Sequence, residues 1–183
     1  MEELLMNELT QKIEQWAFDR NLQTADPIKQ FDKLVEEYGE LVQGLNKNNM
    51  DLIKDSIGDM YVVLVVMSTQ LKTELPTPNK NIISSSTIAY MANLGDLGIR
   101  LEDNHYPLIM VGISNLLRRM MDTCMELNID FKECVQLAYE EIKDRKGRMI
   151  DGKFVKESDL KETPESKLQS KNKETRHPNK YMD

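Results

Sequence analysis

Between Asp51 and Leu75 the chain carries no proline and a single glycine, Gly58, and through its middle runs Tyr61-Val62-Val63-Leu64-Val65-Val66. Periodicity alone does not separate a buried strand from a buried helix in such a run. Length does, because strands rarely exceed about 10 residues and this stretch is far longer without interruption. A helix that is apolar on all sides has to sit centrally, so other helices must surround it. The apolar run itself, Met60 to Met67, falls well short of the roughly 20 residues a membrane helix needs.

The remaining sequence supplies those neighbours. Only 8 Gly and 6 Pro occur in 183 residues, while Leu, Ile, Met, Lys, Glu and Gln are common, a composition that favours helices. A first helix is expected over about Glu2 to Arg20, with Leu5, Leu9, Ile13, Trp16 and Ala17 at helical spacing. Asp26-Pro27 reads as an N-cap followed by proline at the first helical position. The second helix then carries Phe31, Leu34, Val35, Tyr38, Leu41, Val42 and Leu45 as one stripe. After the central helix, Pro76 to Lys80 is a break, and helices are expected over about Ile82 to Glu102, Pro107 to Leu127 and Asp130 to Lys146. Arg148 to Lys156 reads as a short hairpin turning at Asp151-Gly152. The expected fold is therefore all-α, a four-helix-type bundle with extra helices, a short C-terminal hairpin and a disordered tail. One domain spans residues 1–155. From Lys156 onward only Leu160, Leu168, Tyr181 and Met182 are large apolar residues, so residues 156–183 are expected to be a disordered charged tail.

Charge and cysteine content narrow the function. With 24 basic and 31 acidic residues the formal net charge is −7, which disfavours broad binding to a nucleic-acid backbone. The N-terminus, MEELLMNELTQKIEQW, has no basic region ahead of an apolar stretch and does not read as a signal peptide. Cys124 and Cys134 form neither a disulfide framework nor a paired zinc motif and read as reduced thiols. The expectation is a cytoplasmic protein with no membrane and no nucleic-acid partner.

Five of the six carboxylates from Glu36 to Asp59 stand out: Glu36, Glu37 and Glu40 on the second helix, Asp55 and Asp59 on the third. Glu37 and Glu40 share a face at i,i+3, and Asp55 and Asp59 share one at i,i+4. Charge clusters on helices are usually solvated, and Glu40, nearly opposite the apolar stripe, fits that reading. The third helix does not. The face of Asp55 and Asp59 continues into Val62, Val63 and Val66, so these aspartates enter the buried side, where an unpartnered carboxylate costs several kcal/mol. Neither helix carries Arg or His, and Lys54 is the nearest cation, one step off the face. A hard divalent cation, Mg²⁺ or Mn²⁺, held by oxygen ligands from both helices resolves the conflict. Gly39, Gly44 and Gly58, all inside helices, suggest close approach of a helix or ligand there.

The segments KLVEEYGELVQGL and KDSIGDMYVVL resemble the MazG-like all-α nucleoside triphosphate pyrophosphohydrolases, in particular phage-type members. Glu36-Glu37-Tyr38-Gly39-Glu40 matches the first half of the family's EExxE…ExxD signature, and Asp59 matches the final aspartate. Ser56 stands where that family has the ExxD glutamate, with Asp55 one residue earlier. WAFDRNL with ADPIKQ, and AYEEIKDRKGRMIDGKFVKESD, extend the likeness, which covers about residues 12–70 and 135–159. The resemblance implies Mg²⁺-dependent hydrolysis of (deoxy)nucleoside triphosphates to monophosphate and pyrophosphate, in nucleotide pool control or house-cleaning. It implies Glu37, Glu40 and Asp59 as metal ligands, with Asp55 replacing the absent glutamate, and Glu36 or Asp55 handling the attacking water. Lys143, Arg145, Lys146 and Arg148 are then phosphate-contact candidates, against the plainer reading that they complement a helix C-terminus. Trp16 could stack on a base, although a lone Trp on an amphipathic helix is more often core. A homodimer or homotetramer, with the third helix partly buried against a partner, and a host-cytoplasm location for a phage protein follow from the same resemblance.

Two other patterns carry less. Glu102 with His105 and Glu174 with His177 both complete ExxH, the di-iron bundle motif, but His105 precedes Tyr106-Pro107 at a helix break and His177 lies in the tail. The 12 methionines are spread through the helices as packing residues. From a different functional class, a non-catalytic helical module binding a nucleotide or a host protein is the alternative, and Ser56 is its best support.

Overall fold

The computed structural model describes residues 2–81, 84–150 and 153–157. Six helices account for most of them: α1 (Glu2–Asp19), α2 (Pro27–Lys47), α3 (Met50–Gln70), α4 (Thr87–Glu102), α5 (Tyr106–Leu127) and α6 (Phe131–Ile142). The fold is all-α apart from two short strands, β1 (Gly147–Ile150) and β2 (Lys153–Lys156), paired antiparallel with Gly147 opposite Lys156. The Asp151-Gly152 turn of that hairpin and the tail from residue 158 lie outside the described residues. Among the described residues no helix is long and apolar enough to cross a membrane.

α3 is the central element, packed against α1, α2 and α6 and touching α5. Every residue from Met60 to Gln70 is buried, so its apolar surface is covered within one chain. The expected partner chain is not needed for that burial. The exposed apolar residues lie outside that stretch, with Ile88, Met91 and Ile99 on α4 among them. Two glycines admit close helix contacts. A Cβ on Gly44 would come within 2.9 Å of the Ile53 side chain at the α2–α3 turn, and one on Gly58 would meet the Cys134 carbonyl oxygen at 2.3 Å. Gly58 thus lets α6 lie directly on the backbone of α3. Gly39 has open space beside it, so the sequence argument for close approach does not extend to it.

Capping explains most helix boundaries. The Asp26 side chain accepts from the Ile28 N–H at 2.9 Å ahead of Pro27, as its sequence predicts. Asn49 likewise accepts from Leu52 N–H and starts α3. Three ends depart from expectation. α3 stops at Gln70, short of the break at Pro76, because Lys72 adopts a left-handed conformation (φ 57°) and Thr73 N–H reaches back to the Ser68 carbonyl. This is a helix stop usually written with glycine. α4 begins at Thr87, not Ile82, because the Ser86 hydroxyl caps Ala89 N–H. α6 ends at Ile142, four residues early, where α1 takes its free carbonyls. The Trp16 indole N–H donates to Ile142 O at 2.7 Å, and the Arg20 guanidinium donates to the carbonyls of Lys143 and Arg145. On α2, Val35 is exposed rather than part of the buried stripe, while Glu37 lies inside it.

Candidate metal and nucleotide cleft

α2, α3 and the C-terminal end of α6 enclose an open cleft of ≈ 550 Å³. Its acidic end is built from Glu36, Glu37 and Glu40 of α2, Asp55 and Asp59 of α3, and Glu141 of α6. All five carboxylates singled out from the sequence thus line one cavity. Along α3 the same face continues through Val62, Val63 and Val66 to Gln70, which forms the apolar end together with Trp16 and Leu22. Ser56 does not reach the cleft wall: it is fully buried, and its hydroxyl donates to the Leu52 carbonyl one turn back at 2.7 Å. Asp55 is the residue that faces the cavity at this level.

The electrostatics are unbalanced. Eight acidic side chains line the cleft against three basic ones, Lys29, Lys33 and Arg145. Glu37 is only 3% exposed, and burial pushes its carboxyl above the ordinary range while Lys33 pulls it back. The Lys33 ammonium lies 2.6 Å from Glu37 and 3.1 Å from Glu36. Asp55 is raised by burial and by Glu141 and Glu40. Asp59 is raised furthest, to about 7, first by burial and then by Glu37, Asp55 and Glu141, with Arg145 the opposing influence. Like charges around a half-buried carboxylate make the ionised site costly as it stands.

The donor set is all oxygen, which suits a hard divalent cation. The side chains do not converge on one point: among the described residues no three His, Cys, Asp or Glu are arranged to hold an ion. Lys33 accounts for part of this, since it holds the Glu37 carboxylate on α2. The chemistry of the residues fits the group, and the arrangement described is the one in which Lys33 supplies the positive charge.

The basic candidates separate. Arg145 lines the cleft and pairs with Glu141. Lys143 is exposed, pairs with Glu140 and is not part of the cleft wall. Lys146 is exposed and likewise outside it, and the Arg148 side chain lies outside what the structure describes. Trp16 lies at the apolar end, 8% exposed, with its N–H committed to Ile142 and the Arg20 guanidinium 4.8 Å from its ring centroid. Its ring packs at that end of the cleft with the Arg20 guanidinium over it. Lys54, the nearest cation by sequence, instead bonds Glu133 of α6 at 2.9 Å. The sequence reading missed Lys33, although its i,i+4 relation to Glu37 was legible. It also missed Glu141 and Gln70 as cleft residues, which no local signal marks.

Comparison with known proteins adds a relative without an assigned role. No family model matches the chain, and no solved structure matches it. A segment of 66 residues, 36% of this chain, is 54% identical to an "uncharacterized 18.2 kDa protein in rep-hol intergenic region" of Haemophilus phage HP1 (strain HP1c1). The match spans 40% of that phage protein's length.

Proposed function

We propose that the chain hydrolyses (deoxy)nucleoside triphosphates to monophosphate and pyrophosphate with Mg²⁺, Mn²⁺ serving as a substitute. The observation that carries this reading is the set of carboxylates around Asp59, short of cations and joined to an apolar extension of the same cleft. Bound there, Mg²⁺ would neutralise phosphate oxygens and acidify a water. Glu37, Glu40 and Asp59 would hold it, with Asp55 at the edge of the same wall. Asp55 is better suited than Glu36 to take the proton of the attacking water. Its carboxyl is raised by burial and neighbours, whereas Glu36 is well exposed and tied to Lys33. Arg145 is the cation placed to meet phosphate at the α6 end. Self-association belongs to the same proposal, as does a host-cell location, given the phage relative.

The test is pyrophosphate release from a panel of ribo- and deoxynucleoside triphosphates, with and without Mg²⁺, for wild type and Glu40→Gln. Release that requires both the metal and Glu40 is the expected result. A folded wild type that releases nothing overturns the catalytic reading. Thermal shift with Mg²⁺ and a non-hydrolysable triphosphate then separates a nucleotide-binding module, stabilised by the pair, from a protein-binding one, indifferent to both.

A further inference from the structure

One face of α3 forms the floor of the cleft, through Asp55, Asp59, Val62, Val66 and Gln70. From Asp59 to Gln70 the helix rises about 16 Å. A triphosphate seated at the acidic end therefore directs its nucleoside along the valines toward Gln70. This residue is only 9% exposed. Its carboxamide nitrogen donates to the Leu22 carbonyl at 3.1 Å. A carbonyl can only accept, so that bond fixes which way the amide is turned. The other end, Oε1, then finds no donor. Three buried side-chain polar atoms among the described residues lack a partner, and Gln70 Oε1 is the one carried by a cleft residue. Buried acceptors are almost always satisfied in native proteins, so an orphan beside a cavity calls for a ligand.

We propose that Gln70 reads the nucleobase, its side-chain oxygen accepting from an N–H on the base edge while Val63, Val66 and Leu22 enclose the ring; this rests on the triphosphate reading above. An acceptor-only contact requires a donor on the base edge presented to it, the exocyclic amine of cytosine, adenine or guanine or the ring N–H of guanine, uracil or thymine, and rejects an edge that lacks one. Oε1 has no solvent-facing surface, so the base edge reaches it as Gln70 and the Leu22–Thr24 turn, linked by their hydrogen bond, adjust together. Gln70 is a specificity residue in this account and takes no part in bond cleavage.

The test compares kcat/KM for the best natural triphosphate with an analogue lacking only the donor. The analogues are purine riboside triphosphate for ATP, the 2-pyrimidinone nucleotide for CTP, and the deaza base in which C–H replaces the ring N–H for guanine, uracil or thymine nucleotides. Wild type should favour the natural substrate by at least about tenfold, expressed mainly in KM, because a site built to hydrogen-bond a group rejects the analogue without it. Gln70→Met should bring that ratio to within about twofold. Because the ratio compares two substrates on one protein, a loss of folded molecules cancels. The wild-type ratio also stands if the variant does not fold. A wild type that turns over both substrates equally, or a Gln70→Met protein that keeps the preference, overturns the role of Gln70 and leaves the hydrolase reading intact. Absence of any Mg²⁺-dependent turnover or binding overturns both.

Discussion

Two aspartates, each drawn toward the interior of an all-α fold, have opposite surroundings. Asp122 on α5 is 4% exposed and meets Arg118, one turn earlier, through both carboxylate oxygens, at 2.6 Å and 3.1 Å. Asp59 on α3 faces Glu37, Asp55 and Glu141, with Arg145 alone to offset them, and its carboxyl is raised to about 7. One carboxylate is satisfied by its own helix. The other is left strained by its neighbours, which is how a site behaves when it is built for something other than stability. The contrast shows that burial of a charge is not the informative feature; the missing counter-charge is.

Exchanging each aspartate for asparagine breaks the comparison most sharply. Asp122→Asn leaves the Arg118 guanidinium without its partner in a half-buried setting and should destabilise the fold by about 3–5 kcal/mol. Urea melts measure this, and turnover per folded molecule should be preserved. Asp59→Asn should do the reverse. Metal-free protein should become more stable at pH 8, while pyrophosphate release falls by on the order of 10²–10³-fold, the usual cost of removing a charge-stabilising group from an active site. If Asp59→Asn destabilises the metal-free protein as Asp122→Asn does, the two sites are alike and the contrast is wrong.

The next effect in size is the pH dependence of stability without metal. The carboxyl of Asp59 is raised from 3.8 to about 7 in the folded state, so the folded protein holds that proton more tightly than the unfolded chain. Its contribution is fully present below pH 3.8 and is lost as pH rises toward and through 7. Asp55 and Glu37 are shifted in the same direction. Denaturant melts between pH 5 and 8 should therefore show stability falling with pH, at up to about 1.4 kcal/mol per pH unit for one proton. Asp59→Asn should flatten the profile. Mg²⁺ at 100 times its Kd should restore about 2.7 kcal/mol at pH 8, and should restore much less in the variant. A flat wild-type profile would mean that Asp59 has counter-charges the geometry does not contain.

Much of this contrast was legible in the sequence, and the reasons for the rest are physical. The Asp55–Asp59 face running into Val62 and Val66 fixed two cleft residues, because helical spacing and burial are local patterns. Asp26-Pro27 marked the start of α2 for the same reason. The end of α3 was not legible, since its left-handed residue is Lys72 rather than glycine. Nor was the end of α6, whose carbonyls are taken by Trp16 and Arg20 from the opposite end of the chain. That long-range cap commits the Trp16 indole N–H to Ile142 while its side chain lines the apolar end of the cleft. Glu141 and Gln70 join the cleft only through the packing of α6 and the Leu22 turn onto α3, which no single stretch of sequence encodes. Lys33 is different: four residues before Glu37 on α2, its pairing with that carboxylate is legible in the helical spacing.

The smallest expected effect separates the two basic residues at the end of α6. Arg145 lines the cleft and stands against Asp55 and Asp59, so Arg145→Met should raise KM for a triphosphate through loss of a phosphate contact. Lys143 pairs with Glu140 on the exposed side, where such ion pairs contribute only about 0–1 kcal/mol. Lys143→Met should therefore change kcat/KM by less than about twofold, the residue being too far round the helix end to touch a ligand in the cleft. Steady-state kinetics on both variants decides it. Equal losses would mean that the phosphates leave the cleft toward the α6 surface and that the basic run acts as a group, as its spacing in the sequence first suggests. A loss confined to Arg145 assigns that run to the ordinary complement of a helix C-terminus, with one member turned inward by the Arg20 cap on its backbone.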